Sequence, residues 1–197
     1  KTVREHDQIK IFMEYAGGNT LVQKIEEKQL YEDDIWYVLI CLMDGVRFLH
    51  SNSIIHRDIK PENILFTKNN VLKLCDFGFM KFLDDSNETS SKVGTQGYAA
   101  PEVRKPNYSF SVDYWSIGIC LFEMLFGYVP YTLAFGQPFP DKFTPHQHLQ
   151  DICKQLLYLN PLARLDSNQF FNMKIVIDKI EYLRSIGKVF DDNLWLK

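Results

Sequence analysis

The chain has 197 residues, is 46% hydrophobic and carries a formal net charge of −3. That is enough apolar material for one sizeable core, and the length suggests one domain or a large fragment. With no Lys/Arg block, the charge argues against nucleic-acid binding, and the longest apolar run, residues 117–126, is interrupted by Glu123 and too short to span a membrane.

In chain order, residues 9–15 alternate well enough for a strand, with Ile9, Ile11 and Met13 on one face, and "AGGN" at 16–19 breaks it. Residues 31–52 place Ile35, Leu39, Leu42, Val46 and Leu49 at helical spacing, with Asp33 and Asp34 in the opening turn. A charged loop follows, and then two short apolar runs, 63–67 and 71–75, parted by "KNN", predict a hairpin. Residues 84–92, with four Ser/Thr, read as an exposed loop. Residues 111–126 are apolar on nearly every face, which predicts a buried helix. Residues 135–145 are irregular, 148–159 are helical until Asn160-Pro161, and an amphipathic stretch over 174–186 stops at Gly187. The pattern is mainly α with a little β. The charged start, residues 1–6, does not read as a secretory leader. Cys41, Cys75, Cys120 and Cys153 form no CxxC pair and read as small core residues in a reducing compartment, which implies a cytoplasmic or alternatively nuclear protein.

The charged loop is "HRDIKPEN", residues 56–63, and Pro61 keeps it from being helix interior. "DFG" follows at 76–78 and "APE" at 100–102. In this order and spacing, the three motifs resemble the catalytic loop and activation segment of eukaryotic protein kinases. The resemblance covers residues 9–171 and implies a helical kinase C-terminal lobe with a small hairpin and a remnant strand of the N-terminal lobe. The implied division is 1–19 for that remnant and the hinge, 20–173 for the lobe and 174–197 for a helical tail.

The resemblance also implies roles. Asp58 matches the catalytic aspartate that orients the acceptor hydroxyl and takes its proton, and Lys60 would meet the transferred phosphoryl group. Asn63 and Asp76 match the magnesium ligands, both hard oxygen donors. Met13, Glu14, Tyr15 and Ala16 resemble the hinge that hydrogen-bonds adenine, Leu65 would lie beneath the ring, and Cys75 would line the cleft. The implied cofactors are ATP and Mg²⁺. Lys60 together with Thr95 resembles the serine/threonine class, with a protein substrate. Arg57 and Lys81 would face a phosphate on the activation loop, at Ser91. His56 and Phe77 match a packed spine, Asp113 a buried holder of the catalytic-loop backbone, and Glu102 with Arg164 a buried ion pair.

The chain also departs from the family. Only 55 residues precede His56, with no Gly-rich loop and no strand lysine, and Glu5 lies too close to the hinge for the helix glutamate. The segment after "GYVPY" is too short and too rich in Pro and Gly for a substrate-docking helix. The leading expectation is a serine/threonine kinase catalytic lobe, incomplete as this chain and served by an activating or lobe-completing partner. The rival is a catalytically weak or inactive kinase-like module that binds partners. A metal-binding module is rejected, because the His and Cys are scattered.

Overall fold

A helix of 20 residues, α2 (Glu32–Ser51), forms the axis of the computed structural model, which describes residues 2–5, 8–83, 94–104, 108–133, 139, 146–188 and 190. Three carboxylates in its first turn suit the positive end of the helix dipole, and the Tyr31 N–H donates to Asp34 Oδ2 at 3.1 Å. Beyond that turn Ile35 to Ile40 are all buried, so this helix is covered on nearly every side. α3 (Ser111–Phe126) packs across it, and Ser111 to Phe122 are all buried. α3 ends where Gly127 takes a left-handed φ of 76°.

α4 (Gln147–Leu156) lies against α3 at Gly118. A Cβ on Gly118 would sit 2.8 Å from Leu157 Cδ2 and 2.9 Å from Leu156 Cβ, so glycine sets this approach. α4 stops three residues short of the expected end because Leu157 turns inward and is buried, while Tyr158 and Leu159 are exposed. α5 (Ser167–Phe171) opens with an Asp166–Gln169 capping box, and α6 (Lys174–Ser185) packs on α2 and α5. The first turn of α2 grips α6: Lys179 pairs with Asp33 at 3.1 Å, and Tyr182 donates to Asp33 Oδ2 at 3.2 Å. No described helix is long and apolar enough to cross a membrane.

Three small antiparallel pairs complete the described structure. β1 (Thr2–Glu5) pairs with β2 (Gln8–Ile11), β3 (Ile54–Ile55) with β6 (Lys81–Phe82), and β4 (Ile64–Phe66) with β5 (Leu72–Leu74). The strand predicted over 9–15 therefore ends at Ile11, whose ladder partner is Thr2. The hairpin predicted after the charged loop is β4–β5, three residues on each side. The short helix α1 (Leu21–Glu26), capped by Thr20 and Gln23, and the two-residue β3–β6 ladder have no counterpart in the sequence reading. Cys120 and Cys153 are buried as expected, but Cys41, which lines a surface groove, and Cys75 are only half-buried. The exposed loop expected at 84–92 and nearly all of 135–145 lie outside the described residues.

The segment after β2 is tied to β4 by Gly18 N–H donating to Phe66 O at 2.9 Å and by Phe66 N–H donating to Asn19 O at 3.0 Å. A Cβ on Gly18 would meet Phe66 O at 2.6 Å and Thr67 O at 2.8 Å, both rigid backbone atoms. Gly18→Ala is expected to cost about 1–3 kcal/mol by forcing these strands apart. Thermal unfolding should register it as a loss of about 2–4 °C per kcal/mol. An unchanged melting temperature would show that the close approach is not needed.

Candidate active site

The loop between β3 and the turn before β4 is held from below by one carboxylate. Asp113 in α3 is fully buried and accepts from the backbone N–H groups of His56 (3.0 Å) and Arg57 (2.9 Å), while His50 Nε2 lies 2.9 Å from its Oδ2. A buried carboxylate needs donors, and here two of the three are the loop it supports. Arg57 takes a left-handed φ of 71°, an uncommon conformation for a residue with a side chain, and Asp113 fixes it.

His56 ties this loop to the end of β5. Its Nε2–H donates to Cys75 O at 3.1 Å, and its Nδ1 accepts from Asp58 N–H at 3.3 Å. That pattern requires neutral imidazole, and burial lowers the pKa of His56 accordingly. The ring packs against Phe77 with centroids 4.9 Å apart. Phe77 remains 41% exposed.

Asp58 is the centre of a small buried network. Its Oδ1 accepts from Thr95 Oγ1 at 2.6 Å, its Oδ2 pairs with Lys60 Nζ at 2.9 Å, and Asn63 Nδ2 donates to Oδ2 at 3.1 Å and to the Asp58 carbonyl at 2.9 Å. Lys60 Nζ also donates to Thr95 Oγ1 at 2.7 Å, which links the catalytic-type loop to the segment before "APE". Burial alone would push the Asp58 carboxyl upward, but the bonds from Thr95, Lys60 and Asn63, with the Lys60 charge, outweigh it and hold the group below the usual carboxylate range.

The sign of the pH effect follows. A depressed carboxyl contributes stability above its unfolded pKa of about 3.9, and that stability is lost as pH falls through the lower folded value. Thr95→Val removes one donor, so Asp58 should titrate higher and acid unfolding should begin at higher pH than in the unaltered chain. Circular dichroism against pH reads this, and superimposable acid transitions would contradict it.

Asn63 ends a short 3-10 turn, Pro61–Asn63, that swings it back over Asp58. Its amide nitrogen is spent on Asp58, which leaves the carbonyl oxygen Oδ1 for a cation. The β4–β5 hairpin then returns the chain to the same place: Cys75 N–H donates to Asn63 O at 2.9 Å, and Asp76 follows at once. Asp76 is exposed, sits at a left-handed φ of 60° and accepts from Gly78 N–H at 3.2 Å. Among the described residues no cluster of three His, Cys, Asp or Glu side chains forms a metal cage. Two oxygen donors fit magnesium, which takes its remaining ligands from water and substrate phosphates.

Residues 13–16, expected as the hinge, come just after β2. Met13 and Tyr15 are highly exposed, Glu14 pairs with Lys73 at 3.4 Å, and Ala16 is half-buried. Leu65 lies in β4, half-buried and bridged to Thr20. Cys75 is half-buried, and burial followed by the Asp76 charge raises its thiol pKa, which disfavours the reactive thiolate.

Arg57, expected to face a phosphate on the activation loop, is engaged here by two other groups. Its guanidinium donates to Phe79 O and, through Nη1, to Tyr108 Oη at 2.9 Å. Lys81 lies in β6 opposite Ile55, and Ser91 is outside the described residues. Thr95 does more than the sequence reading assigned to it, because its hydroxyl bridges Asp58 and Lys60; a Thr seven residues before Glu102 gave no sign of that contact. Glu102 and Arg164 form a buried two-bond fork, with Nη2 to Oε2 at 3.2 Å, and Arg164 also donates to Ser111 O at 2.7 Å and Tyr158 O at 3.0 Å.

A supported loop with a depressed aspartate, a lysine beside it and two oxygen donors converging from a hairpin defines a phosphoryl-transfer type of site. The chain belongs to the protein kinase domain family, whose model matches residues 1–176. It is 36% identical over 184 residues to cAMP-dependent protein kinase type 3 of Saccharomyces cerevisiae, covering 85% of this chain and 44% of the relative. It is 40% identical over 130 residues to serine/threonine-protein kinase chk1 of Schizosaccharomyces pombe, covering 64% of this chain and 26% of the relative. Serine/threonine-protein kinase atg1 of Dictyostelium discoideum is 33% identical over 180 residues, 84% of this chain and 27% of the relative. The chain thus spans less than half the length of each of these relatives.

Proposed function

We propose that this chain is the catalytic lobe of a serine/threonine protein kinase, which transfers the γ-phosphoryl group of ATP to a hydroxyl of a protein substrate. The observation that carries the reading is the network around Asp58, joined to Lys60, Thr95 and Asn63 by bonds of 2.6–3.1 Å. An ionised Asp58 orients the acceptor hydroxyl and takes its proton as the hydroxyl oxygen bonds the γ-phosphorus and the bond from that phosphorus to the departing ADP oxygen breaks. Its depressed pKa favours orientation over strong basicity, which suits a reaction dominated by positioning. Lys60 offsets charge on the transferred oxygens. Asn63 Oδ1 and Asp76 would hold Mg²⁺, which when bound offsets charge on the ATP phosphates. Adenine would lie between Leu65 and the backbone of residues 13–16.

The serine/threonine assignment is supported by the Lys60–Thr95 bond and by the names of the relatives. Phosphoamino-acid analysis tests it, using this chain fused behind the small lobe of the yeast relative and offered peptides with Ser, Thr or Tyr. Phosphoserine or phosphothreonine is the expected product; phosphotyrosine alone would reject the class. The rival reading, a partner-binding module without turnover, is less well supported because Asp58, Lys60, Asn63 and Asp76 are all present.

A further inference from the structure

The carboxylate that holds the catalytic-type loop is itself held, by a line of hydrogen bonds that ends in α5. His50 in α2 presents Nε2 to Asp113 Oδ2 at 2.9 Å, and its Nδ1 lies 3.2 Å from Tyr114 Oη. Tyr114 Oη in turn lies 3.0 Å from Ser167 Oγ, in the first turn of α5. Asp113, Tyr114 and Ser167 are buried, and the His50 side chain is 8% exposed. The His50 ring also packs against those of Phe110 and Tyr114, with centroids 4.6 and 5.1 Å away. Ser167 is fixed from its own side: Asp166 and Gln169 cap α5, and the Arg47 guanidinium of α2 lies 4.3 Å from the Phe171 ring.

The direction of each bond follows from its neighbours. Asp113 accepts from the N–H groups of His56 and Arg57, and a carboxylate offers only acceptors, so His50 brings the proton on Nε2. Burial raises the pKa of the Tyr114 phenol, and the Ser167 hydroxyl and backbone N–H oppose that rise by donating to Oη. With donors from Ser167 already on Oη, the phenol proton is left for the lone pair on His50 Nδ1. The partner of one imidazole nitrogen sets which form the other presents, so the Tyr114 hydroxyl selects the Nε2–H tautomer that Asp113 needs.

We propose that Tyr114, oriented by Ser167, is a positioning residue for the reaction: its hydroxyl fixes the His50 ring, His50 fixes Asp113, and Asp113 fixes the backbone of His56 and Arg57 just ahead of Asp58. Donors that all point the same way along such a line strengthen one another. The effect on the loop stands apart from the kinase reading above; the effect on turnover rests on it.

Two measurements on the 197-residue chain test it without ATP. Proton–nitrogen correlation NMR of the unaltered chain near neutral pH should find the His50 ring proton on Nε2 and none on Nδ1; a proton on Nδ1 would overturn the proposal. Tyr114→Phe keeps the ring and removes only the hydroxyl. It should speed exchange of the His56 and Arg57 amide protons about tenfold and leave that of Ile119, buried within α3, unchanged. Ser167→Ala should act in the same direction but less, because the Ser167 N–H remains. Unchanged exchange at His56 and Arg57 in Tyr114→Phe would overturn the proposal, since the hydroxyl would then not act on the loop. Equal acceleration at Ile119 would overturn it as well, since the loosening would be general. In the fusion behind the yeast small lobe, Tyr114→Phe should lower kcat about tenfold at unchanged KM for ATP. An unchanged kcat would reject the positioning role and leave the kinase reading standing. An unaltered fusion with no turnover at all would reject the kinase reading, and with it the role in turnover, while the amide exchange still decides the contact with the loop.

Discussion

Arg164→Ala is expected to be the most damaging single substitution for folding, at about 3–5 kcal/mol. Arg164 is 4% exposed and Glu102 8%, so the deletion leaves a carboxylate in the core with, among the described residues, the weak bond from Ser111 Oγ at 3.4 Å. It also strips donors from the carbonyls of Ser111 and Tyr158 and opens space against Trp115, whose ring lies 5.2 Å from the guanidinium. Unfolding in urea should show a lower midpoint at unchanged slope. Glu102→Gln keeps shape and one acceptor and should cost less than Arg164→Ala. A loss below about 1 kcal/mol for Arg164→Ala would mean that the pair does not brace the fold.

The site was legible where chemistry demands residue types at fixed spacing. "HRDIKPEN" could be recognised because its charges lie in one loop, and Asp58, Lys60 and Asn63 do meet there. α3 was readable to the residue, because a helix buried all round has no polar face to blur its ends. The β3–β6 ladder was not readable, since two residues carry no periodicity and their pairing depends on the loop that Asp113 supports. The early end of α4 depends on Leu157 packing near Gly118, a long-range contact absent from local sequence. Thr95 was singled out with Lys60, but its bonds to Asp58 and Lys60 were not foreseen, because those partners lie 37 and 35 residues away in sequence. The engagement of Arg57 by Phe79 and Tyr108 was equally invisible, since those partners lie 22 and 51 residues away in sequence.

The second large effect concerns catalysis by the chain as it stands. Its 197 residues hold no Gly-rich loop and no strand lysine to meet the ATP phosphates. Ile11, Phe12, Met13 and Tyr15 are exposed, so in the proposed reading adenine and phosphates would face water on their side. In water the charges of Asp58, Lys60 and Asp76 act through a high dielectric and lose much of their effect on the transition state. Each lost positioning contact can cost several kcal/mol of barrier, and several are lost together. Restoring the upper lobe should therefore raise the rate by orders of magnitude, and Asp58→Asn in the restored protein should remove about 10²–10⁴-fold of it.

The most direct measurement is transfer of radiolabelled phosphate from ATP·Mg²⁺ to a serine peptide by three proteins side by side: the 197-residue chain, its fusion behind the small lobe of the yeast relative, and that fusion carrying Asp58→Asn. The account predicts turnover on the order of 1–100 per second for the fusion alone, with the other two slower by about a hundredfold or more. Turnover of about 1 per second by the isolated chain, or a fusion indifferent to Asp58→Asn, would contradict it.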